Sequence, residues 1–307
     1  MFSIAKKELH QFFSSLTGYI TIILFLLVNG LFLFVLKDSN VFDFGYATLD
    51  KFFELAPWIF LFLIPAITMR SLSDEYRTGT FEILQTRPLT KWQIVAGKYI
   101  AILTILVISL LPTFIYVFTI KSLAAQGGID GGAITGSYIG LFFLAAVFAA
   151  IGLYCSGFTN NAVVAFLVSA FLCLILYFGF NALSRLPVLQ GKLDYYVEML
   201  GIDFHYRSIS RGVVDTRDII YFISIIFFFL LATVKSLDKK TRTYGTRLTK
   251  RLWWAPVIIV LALIIFAASQ FHQRIDLTNE KRFTISSPVK KLLRNLDDVV
   301  QIDIFFH

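Results

Sequence analysis

Long apolar blocks alternate with short polar segments along the whole chain. Each block is almost free of charged residues and approaches the ~20 residues that a helix needs to cross a bilayer. Pro57, Pro65 and Pro112 lie within or near these blocks, where neighbouring helices can satisfy the freed carbonyl groups. The pattern predicts seven transmembrane helices, at roughly 19–36, 55–70, 94–120, 135–155, 162–183, 219–234 and 252–269.

The segment before the first block has the 3.6-residue period of an amphipathic helix. Its apolar side consists of Ala5, Leu9, Phe12, Phe13 and Leu16. Lys6, Lys7, His10, Gln11 and Ser14 form the polar side. We expect a helix that lies in the membrane interface. A cleaved signal peptide is the alternative, but the following apolar block is long and no small-residue cleavage site follows it.

Composition supports a membrane protein and argues against two other classes. Hydrophobic residues make up 57% of the 307 residues and charged residues only 16%, against about 25% in soluble domains. The formal net charge is +8, but the basic residues sit mostly at the ends of apolar blocks, so they indicate topology rather than nucleic-acid binding. Cys155 and Cys173 lie inside apolar blocks without a C-x-x-C spacing and are expected to be small buried hydrophobes.

The distribution of basic residues predicts the orientation. The short segment 235–251 carries seven Lys or Arg residues and should face the cytoplasm. With seven spans, the amino terminus is then cytoplasmic and the segment after residue 269 lies outside. In that segment Ser287-Pro288 is a helix-start signal, and Val300, Ile302 and Ile304 alternate with polar residues as in a half-buried strand. Fewer than ~40 residues do not normally fold alone, so this piece either continues further or completes a domain with a partner.

Several kinds of chemistry are missing from the sequence. No G-x-x-x-x-G-K-[ST] phosphate loop occurs, so ATP hydrolysis would require another chain. The four histidines are scattered and show no metal-ligand spacing. No charged residue lies between Asp130 and Arg185, which disfavours an ion-coupled carrier. Sodium sites made of backbone carbonyls keep that alternative open.

The loop between the second and third spans carries two helix-start patterns. Ser71-x-x-Asp74 places an acidic residue in a first turn, and Thr90-x-x-Gln93 forms a capping box ahead of the third span. A short charged helix joined directly to a span could transmit force from a soluble motor. A plain solvated connector is the alternative.

The same loop resembles one in type-2 ABC exporter (ABC-2 type) permeases. The matching pattern is Glu75-x-x-x-Gly79-Thr80-x-Glu82-x-Leu84, followed by Arg87-Pro88-Leu89 and Gly97-Lys98-Tyr99. In that family the loop contains the coupling helix that docks on the nucleotide-binding subunit, which maps to about residues 72–86 here. The resemblance implies coupling residues Asp74, Glu75, Arg77, Gly79, Thr80, Glu82, Leu84 and Pro88.

Two further segments resemble gliding-motility ABC transporters. Residues 205–218 are similar to a segment of the permease subunits called GldF, where the family fold places short re-entrant helices. The resemblance marks His205, Arg211 and Gly212 there, although an ordinary outer loop fits the charge balance equally well. Residues 274–284 are similar to the start of the periplasmic domain of the partner subunit GldG, which suggests a fused or truncated pair.

These observations predict an all-α polytopic membrane protein. Residues 1–240 would form a six-helix ABC-2 type permease with an amino-terminal elbow helix, 241–269 a basic linker and seventh helix, and 270–307 the incomplete beginning of an α/β periplasmic domain. We expect no enzyme activity and no directly bound cofactor, with ATP and Mg used by a partner ATPase.

The expected function is that of the permease subunit of an ABC transporter in the bacterial inner membrane, associated with gliding motility or secretion. Its expected partners are a cytoplasmic ABC ATPase, a second permease copy in a homodimer or heterodimer, a GldG-like periplasmic domain and the lipid membrane, with no nucleic acid. A non-transporting membrane anchor and an ion-coupled carrier are the alternative functions.

Overall fold

Six long helices form the core of the protein. The computed structural model describes residues 1–37, 40–44, 47–86, 88–124, 128–191, 193–241, 270 and 273–295. Within these residues, six helices are long and apolar enough to cross a membrane: Leu16–Phe34, Asp50–Arg77, Lys91–Leu123, Gly131–Phe158, Ala162–Ser184 and Thr216–Leu237. The predicted fold class and the first six predicted spans are confirmed. The predicted span 252–269 and the predicted strand around Ile302 lie outside the described residues.

The elements follow one another along the chain in this order. The helices of the first half are α1 Phe2–Phe13, α2 Leu16–Phe34, α3 Val41–Phe44, α4 Asp50–Thr68, α5 Arg70–Arg77, α6 Thr80–Gln85, α7 Lys91–Leu110 and α8 Phe114–Leu123. The second half contains α9 Gly131–Phe158, α10 Ala162–Leu174, α11 Phe180–Ser184, α12 Asp194–Glu198, α13 Ile202–Ser210, β1 Val213–Asp215, α14 Thr216–Thr241, β2 Arg274–Asp276 and α15 Ser287–Arg294. A 3₁₀ turn, Leu111–Thr113, joins α7 to α8, and a π-helical turn, Ile175–Gly179, joins α10 to α11.

Helix α9 is the most buried element and packs against α4, α10, α13 and α14. Its buried face is rich in Ala and Gly, which allow helix backbones to approach closely in a membrane. At Gly152 a Cβ atom would lie 2.0 Å from Thr68 Oγ1 of α4, so no larger residue fits without a shift of one helix. Small residues in α9 therefore set the close α4–α9 contact.

One of the three prolines, Pro57, is accommodated by a neighbouring helix as the sequence predicts. Pro57 and Pro65 lie inside α4, and Pro112 lies in the 3₁₀ turn after α7. Because Pro57 has no N–H, the carbonyl of Phe53 lacks its helical donor. The hydroxyl of Tyr206 donates to that carbonyl at 2.5 Å, so a neighbouring helix replaces the missing bond.

The amino-terminal amphipathic helix is confirmed as α1, but Leu16, predicted on its apolar side, begins α2 instead and is 75% exposed. Ile4 and Ala5 are buried, and α1 packs along α7. At Gly97 of α7, a Cβ atom would lie 2.9 Å from the carbonyl oxygen of Met1. The elbow helix is therefore held tightly against the beginning of the third span.

Of the two predicted helix starts, one is confirmed and one is wrong. Thr90 and Gln93 form the complete capping box at the start of α7. Helix α5, in contrast, begins at Arg70 with only Met69 between it and α4, so Ser71 and Asp74 do not begin a helix. The helical backbone of α4 simply continues out of the span, and no new cap is required.

The segment that begins at residue 273 returns to the α13–α14 connection. β2 pairs antiparallel with β1, with Val213 opposite Asp276. Helix α15 begins at Ser287-Pro288 as predicted, with Pro in its first turn. The sequence did not predict the strand pair, which ties residues 274–276 to the permease part of the chain.

Candidate functional site

The predicted coupling loop forms a helical hairpin, made of α5 and α6. Gly79 connects the two helices in the left-handed region, with φ of 72°, a conformation that favours glycine. The Tyr76 and Phe81 rings meet edge to face across the turn, with centroids 4.8 Å apart. Phe81 and Leu72 are buried, so the hairpin packs onto the ends of the spans and does not project freely.

A buried lysine joins this hairpin to two other helices. Lys98 of α7 has a side chain only 1% exposed, and its ammonium group donates to Glu75 Oε1 at 2.9 Å, to Glu8 Oε1 at 2.7 Å and to the carbonyl of Ser71 at 2.6 Å. Those three bonds match the three N–H donors of a lysine. Lys7 of α1 adds a further contact to Glu75 Oε1 at 3.2 Å. We call Lys7, Glu8, Glu75 and Lys98 the charge node.

The charge node balances its own charges. It contains two lysines and two glutamates, and it joins the elbow helix α1, the hairpin helix α5 and the span α7. Removal of one partner from a buried ion pair leaves an uncompensated charge and typically costs about 3–5 kcal/mol. The node therefore fixes the position of α5 relative to the elbow and the third span.

The structure divides the predicted coupling residues into two groups. Glu75 is buried in the charge node, whereas Glu82 and Pro88 are exposed. Arg77 is exposed and pairs with Asp74 at 3.3 Å within the same helix. Gly79 and Thr80 form the exposed turn, and Leu84 is half-buried. Ile83, which the sequence did not single out, is 65% exposed beside Glu82 and completes the outer surface of α6.

The second predicted segment, residues 205–218, lies at the end of the bundle opposite to the α5–α6 hairpin. We call this end the opposite face. His205 of α13 is fully buried and stacks on Tyr221, with ring centroids 3.8 Å apart. Its Nδ1 lies 2.7 Å from Asp218 Oδ1, and its Nε2 lies 2.9 Å from the carbonyl of Met199. Both ring nitrogens thus lie within hydrogen-bond distance of oxygen atoms on neighbouring segments. His205 holds α13 on α14 and faces no open surface.

Arg211 and Gly212 have different roles in the same turn. Gly212 has φ of +84°, and a Cβ atom there would lie 2.8 Å from Cα of Ala133, so the α13–β1 turn passes very close to the start of α9. Arg211 is exposed and, among the described residues, makes no ion pair. Gly212 is required by the backbone path, and Arg211 is available for an external contact.

Sequence reasoning missed Glu8 and the role of Lys98, although one signal was present. A cation within the predicted span 94–120 is costly in a membrane and implies a partner. The partners lie 90 and 23 residues away, and no periodicity in the sequence identifies them. Among the described residues, no group of three or more His, Cys, Asp or Glu side chains is placed to hold a metal ion.

Comparisons with known proteins agree with this architecture. The profile of the family described as ABC-2 family transporter protein matches residues 2–271, which is most of the chain. No curated protein sequence matches it. Six membrane-spanning helices, an amphipathic helix before them and a match over this length agree with one another. The chain belongs to the ABC-2 family of transporter proteins and is a multi-pass membrane component of an ABC transporter.

Proposed function

We propose that this permease subunit receives the work of a separate ABC ATPase through the α5–α6 hairpin. The observation that supports the proposal most directly is the charge node, which holds the hairpin rigidly against the elbow helix and the third span. A hairpin that was free to swing would absorb a displacement. One fixed by a buried, fully bonded lysine passes the displacement on.

The path from the hairpin into the spans is short. Helix α5 follows α4 with only Met69 between them, and Met69 itself has helical dihedral angles. Helix α4 packs on α9 and α10 along its length. A push on α5 therefore moves α4 relative to the central helix of the bundle. ATP and Mg are used in the partner ATPase.

The surface that meets the ATPase is the outer side of α6. Glu82 and Ile83 are exposed there, whereas Glu75 is occupied by Lys98. Docking by Glu82 and Ile83 leaves the charge node intact. Glu75 then serves to position the hairpin and does not itself contact the ATPase.

Co-purification tests this assignment. The chain is expressed with its ABC ATPase, and the recovered ATPase is compared for the wild type, Ile83→Glu, Glu82→Arg and the control Val188→Glu, which alters an 88% exposed apolar residue on the opposite face. We expect Ile83→Glu with Glu82→Arg to reduce recovery by about tenfold, the effect of losing about 1.4 kcal/mol of docking energy. Full recovery with that pair would refute the docking surface.

The cellular setting rests on the sequence resemblance. We infer a subunit of a gliding-motility or secretion-associated transporter in the inner membrane, paired with a second permease and with a GldG-like domain. The competing function is a membrane anchor without transport. ATPase activity that changes when this subunit is present and a candidate substrate is added would support transport, and activity indifferent to both would support the anchor.

A further inference from the structure

Four arginines meet around one cavity on the opposite face. The cavity measures about 360 Å³ and is lined by Arg207, Arg211, Arg217 and Arg274, with Glu198 as the one carboxylate among its described lining residues. Arg207 and Arg211 come from α13 and its end, and Arg217 comes from the first turn of α14. Arg274 comes from β2, 57 residues further along the chain, and the β1–β2 pairing brings it there.

The guanidinium groups keep unused hydrogen-bond donors. Arg207 donates through Nη2 to both Glu198 and Asp203, at 3.0 and 2.6 Å. Arg217 Nε, in contrast, lies 3.7 Å from Asp218 Oδ1, and Arg274 Nε lies 4.0 Å from Asp215 Oδ2, both beyond hydrogen-bond length.

Two of these donor groups have no hydrogen-bond acceptor within the described part of the chain. Arg217 Nε is buried without a hydrogen-bond partner, and Arg211 makes no ion pair. A guanidinium has five N–H donors in a planar fork that matches the oxygens of a phosphate. The arginines that line the cavity therefore have the chemistry to bind an oxyanion.

The remaining walls are aromatic. Tyr195, Phe204 and Phe283 line the same cavity, and the guanidinium carbon of Arg217 lies 5.9 Å from the centroid of the Phe204 ring. A small inorganic anion would make no favourable contacts with these aromatic side chains. A ligand that carries an apolar part next to its anionic group fits both kinds of wall.

The adjoining segment has the exposed side chains of a membrane interface. Between residues 186 and 200 it exposes large apolar or aromatic side chains at Leu186, Val188, Leu193, Tyr195, Tyr196 and Leu200. Tyrosines of this kind are enriched at the level of lipid headgroups. Tyr195 belongs both to this segment and to the cavity wall, so the cavity opens where a lipid headgroup would lie.

We infer that the four-arginine cavity binds the phosphate group of an anionic lipid from the leaflet at the opposite face. The arginines bind the phosphate oxygens, and the aromatic walls contact the glycerol and the first carbons of the chains. The inference concerns binding only and holds whether the lipid is transported, regulates the subunit or anchors the turn between α13 and α14.

Calorimetry on the purified full chain in detergent tests the inference. The titrants are short-chain dihexanoyl phosphatidic acid, dihexanoyl phosphatidylcholine, in which a quaternary ammonium offsets the phosphate charge, and inorganic phosphate. We expect phosphatidic acid to bind most tightly, phosphatidylcholine at least severalfold more weakly, and inorganic phosphate more weakly still. Binding should also weaken as salt is raised.

Variants identify the site. Arg211→Gln together with Arg274→Gln should weaken binding of phosphatidic acid by about ten- to a hundredfold, the usual effect of losing charged hydrogen bonds. Both side chains are largely exposed, so the fold should survive, and the unfolding temperature of the double variant verifies this. Lys121→Gln removes a cation from the opposite face outside this cavity and should leave the affinity unchanged.

Three outcomes would overturn the inference. They are the absence of phosphatidic acid binding, an affinity that the double variant shares with the wild type, and binding of inorganic phosphate or phosphatidylcholine as tight as that of phosphatidic acid. The assay contains neither ATPase nor ATP, so a failure here leaves the coupling proposal untouched. Likewise, failure of the ATPase co-purification test would not bear on lipid binding at this cavity.

Discussion

Lys98 shows how a single side chain can organise one end of the bundle. Its ammonium group is almost fully buried, yet all three of its N–H donors have acceptors on α1 or α5. A charge so placed is tolerated because the ion pairs with Glu8 and Glu75 and the hydrogen bond to Ser71 offset the cost of its desolvation. Glu75, by the same contacts, is occupied inside the protein and does not present its charge at the surface. The ion pair between Lys98 and Glu75 therefore accounts for the burial of both charges.

The first prediction concerns Lys98 itself. Lys98→Met should lower the free energy of unfolding by about 3 kcal/mol, because Glu8 and Glu75 would keep buried charges without their main partner. Thermal and denaturant unfolding of the purified protein measure the effect. Lys6→Met is the matched control, since Lys6 is exposed on the same helix as Glu8, and its effect should stay within about 0.5 kcal/mol.

A compensating variant makes the test of the charge node sharper. Adding Glu8→Gln and Glu75→Gln to Lys98→Met removes the unpaired charges and should restore part of the lost stability. If Lys98→Met were as stable as Lys6→Met, the charge node would have no role in holding α5.

At the scale of elements, the α5–α6 hairpin depends on one backbone conformation. Gly79 has φ of 72°, and no atom lies within 4 Å of the position that a Cβ would occupy. The backbone conformation, rather than lack of space, therefore limits which residue types fit at this position. The turn brings the Phe81 ring of α6 onto the Tyr76 ring of α5. The orientation of the docking surface therefore follows from this single residue.

The second prediction uses two substitutions at Gly79. Gly79→Ala should cost about 1–2 kcal/mol, because alanine is strained in the left-handed region. It should also lower the ATPase stimulation that depends on the hairpin. Gly79→Asn adds a larger side chain but tolerates this conformation, so it should retain most of the stimulation. Equal loss in both variants would mean that space, not backbone conformation, limits this position.

A second element-scale contact holds the β2 segment in place. Asp276 Oδ1 accepts from the hydroxyl of Thr278 at 2.6 Å and from its backbone N–H at 3.0 Å. Asp276 Oδ2 accepts from the N–H of Phe283 at 2.9 Å and from the hydroxyl of Thr284 at 3.0 Å. These bonds, that from the Thr278 hydroxyl foremost, lower the pKa of Asp276 below its usual value.

The third prediction follows from the sign of that shift. A carboxylate whose pKa is lowered by folding stabilises the fold above its unfolded pKa, and this contribution disappears as the pH falls through the folded pKa. Hydrogen exchange at the paired amides of β1 and β2, corrected for the intrinsic rate, should therefore lose protection below about pH 4. Asp276→Asn should weaken protection at neutral pH and flatten the pH profile.

A matched control exists in the same segment. Glu280 is exposed and, among the described residues, forms its ion pair with Arg282 across the surface, so Glu280→Gln should leave both protection and its pH profile unchanged. Protection in Asp276→Asn that followed the wild type at every pH would contradict the assigned role of Asp276.

At the scale of the whole molecule, the bundle has two chemically different ends. One end carries the elbow helix, the α5–α6 hairpin and the charge node. The other carries the short helices α12 and α13, the strand pair and the arginine-lined cavity. The ATPase proposal requires the first end to face the cytoplasm, as the basic segment 235–251 predicts.

The fourth prediction tests that orientation. Single cysteines are introduced at Thr78, in the hairpin turn, and at Val188, both exposed. An impermeant maleimide added to intact cells should label Val188→Cys but label Thr78→Cys only after the membrane is opened. The native Cys155 and Cys173 are both buried and provide an internal background measurement. Labelling of Thr78→Cys from outside would overturn the coupling proposal.

The sequence by itself determined the number and placement of the first six spans, the elbow helix and the capping box at Thr90. Each of these depends on the composition or periodicity of one contiguous segment. The sequence misjudged the start of α5, because a helix that merely continues from a span needs no capping signal. It also grouped Glu75 with Glu82, since a linear pattern does not distinguish a buried carboxylate from an exposed one.

Only the tertiary structure decided which charges meet. Lys98 contacts Glu8, which lies 90 residues away in the sequence. Arg274 lies in the same cavity as Arg211 and Arg217 because β2 pairs with β1, and no local sequence pattern predicted that pairing. The physical reason is that hydrophobic burial in a membrane is set span by span, whereas the partner of a buried or clustered charge depends on which helix ends the packing brings together.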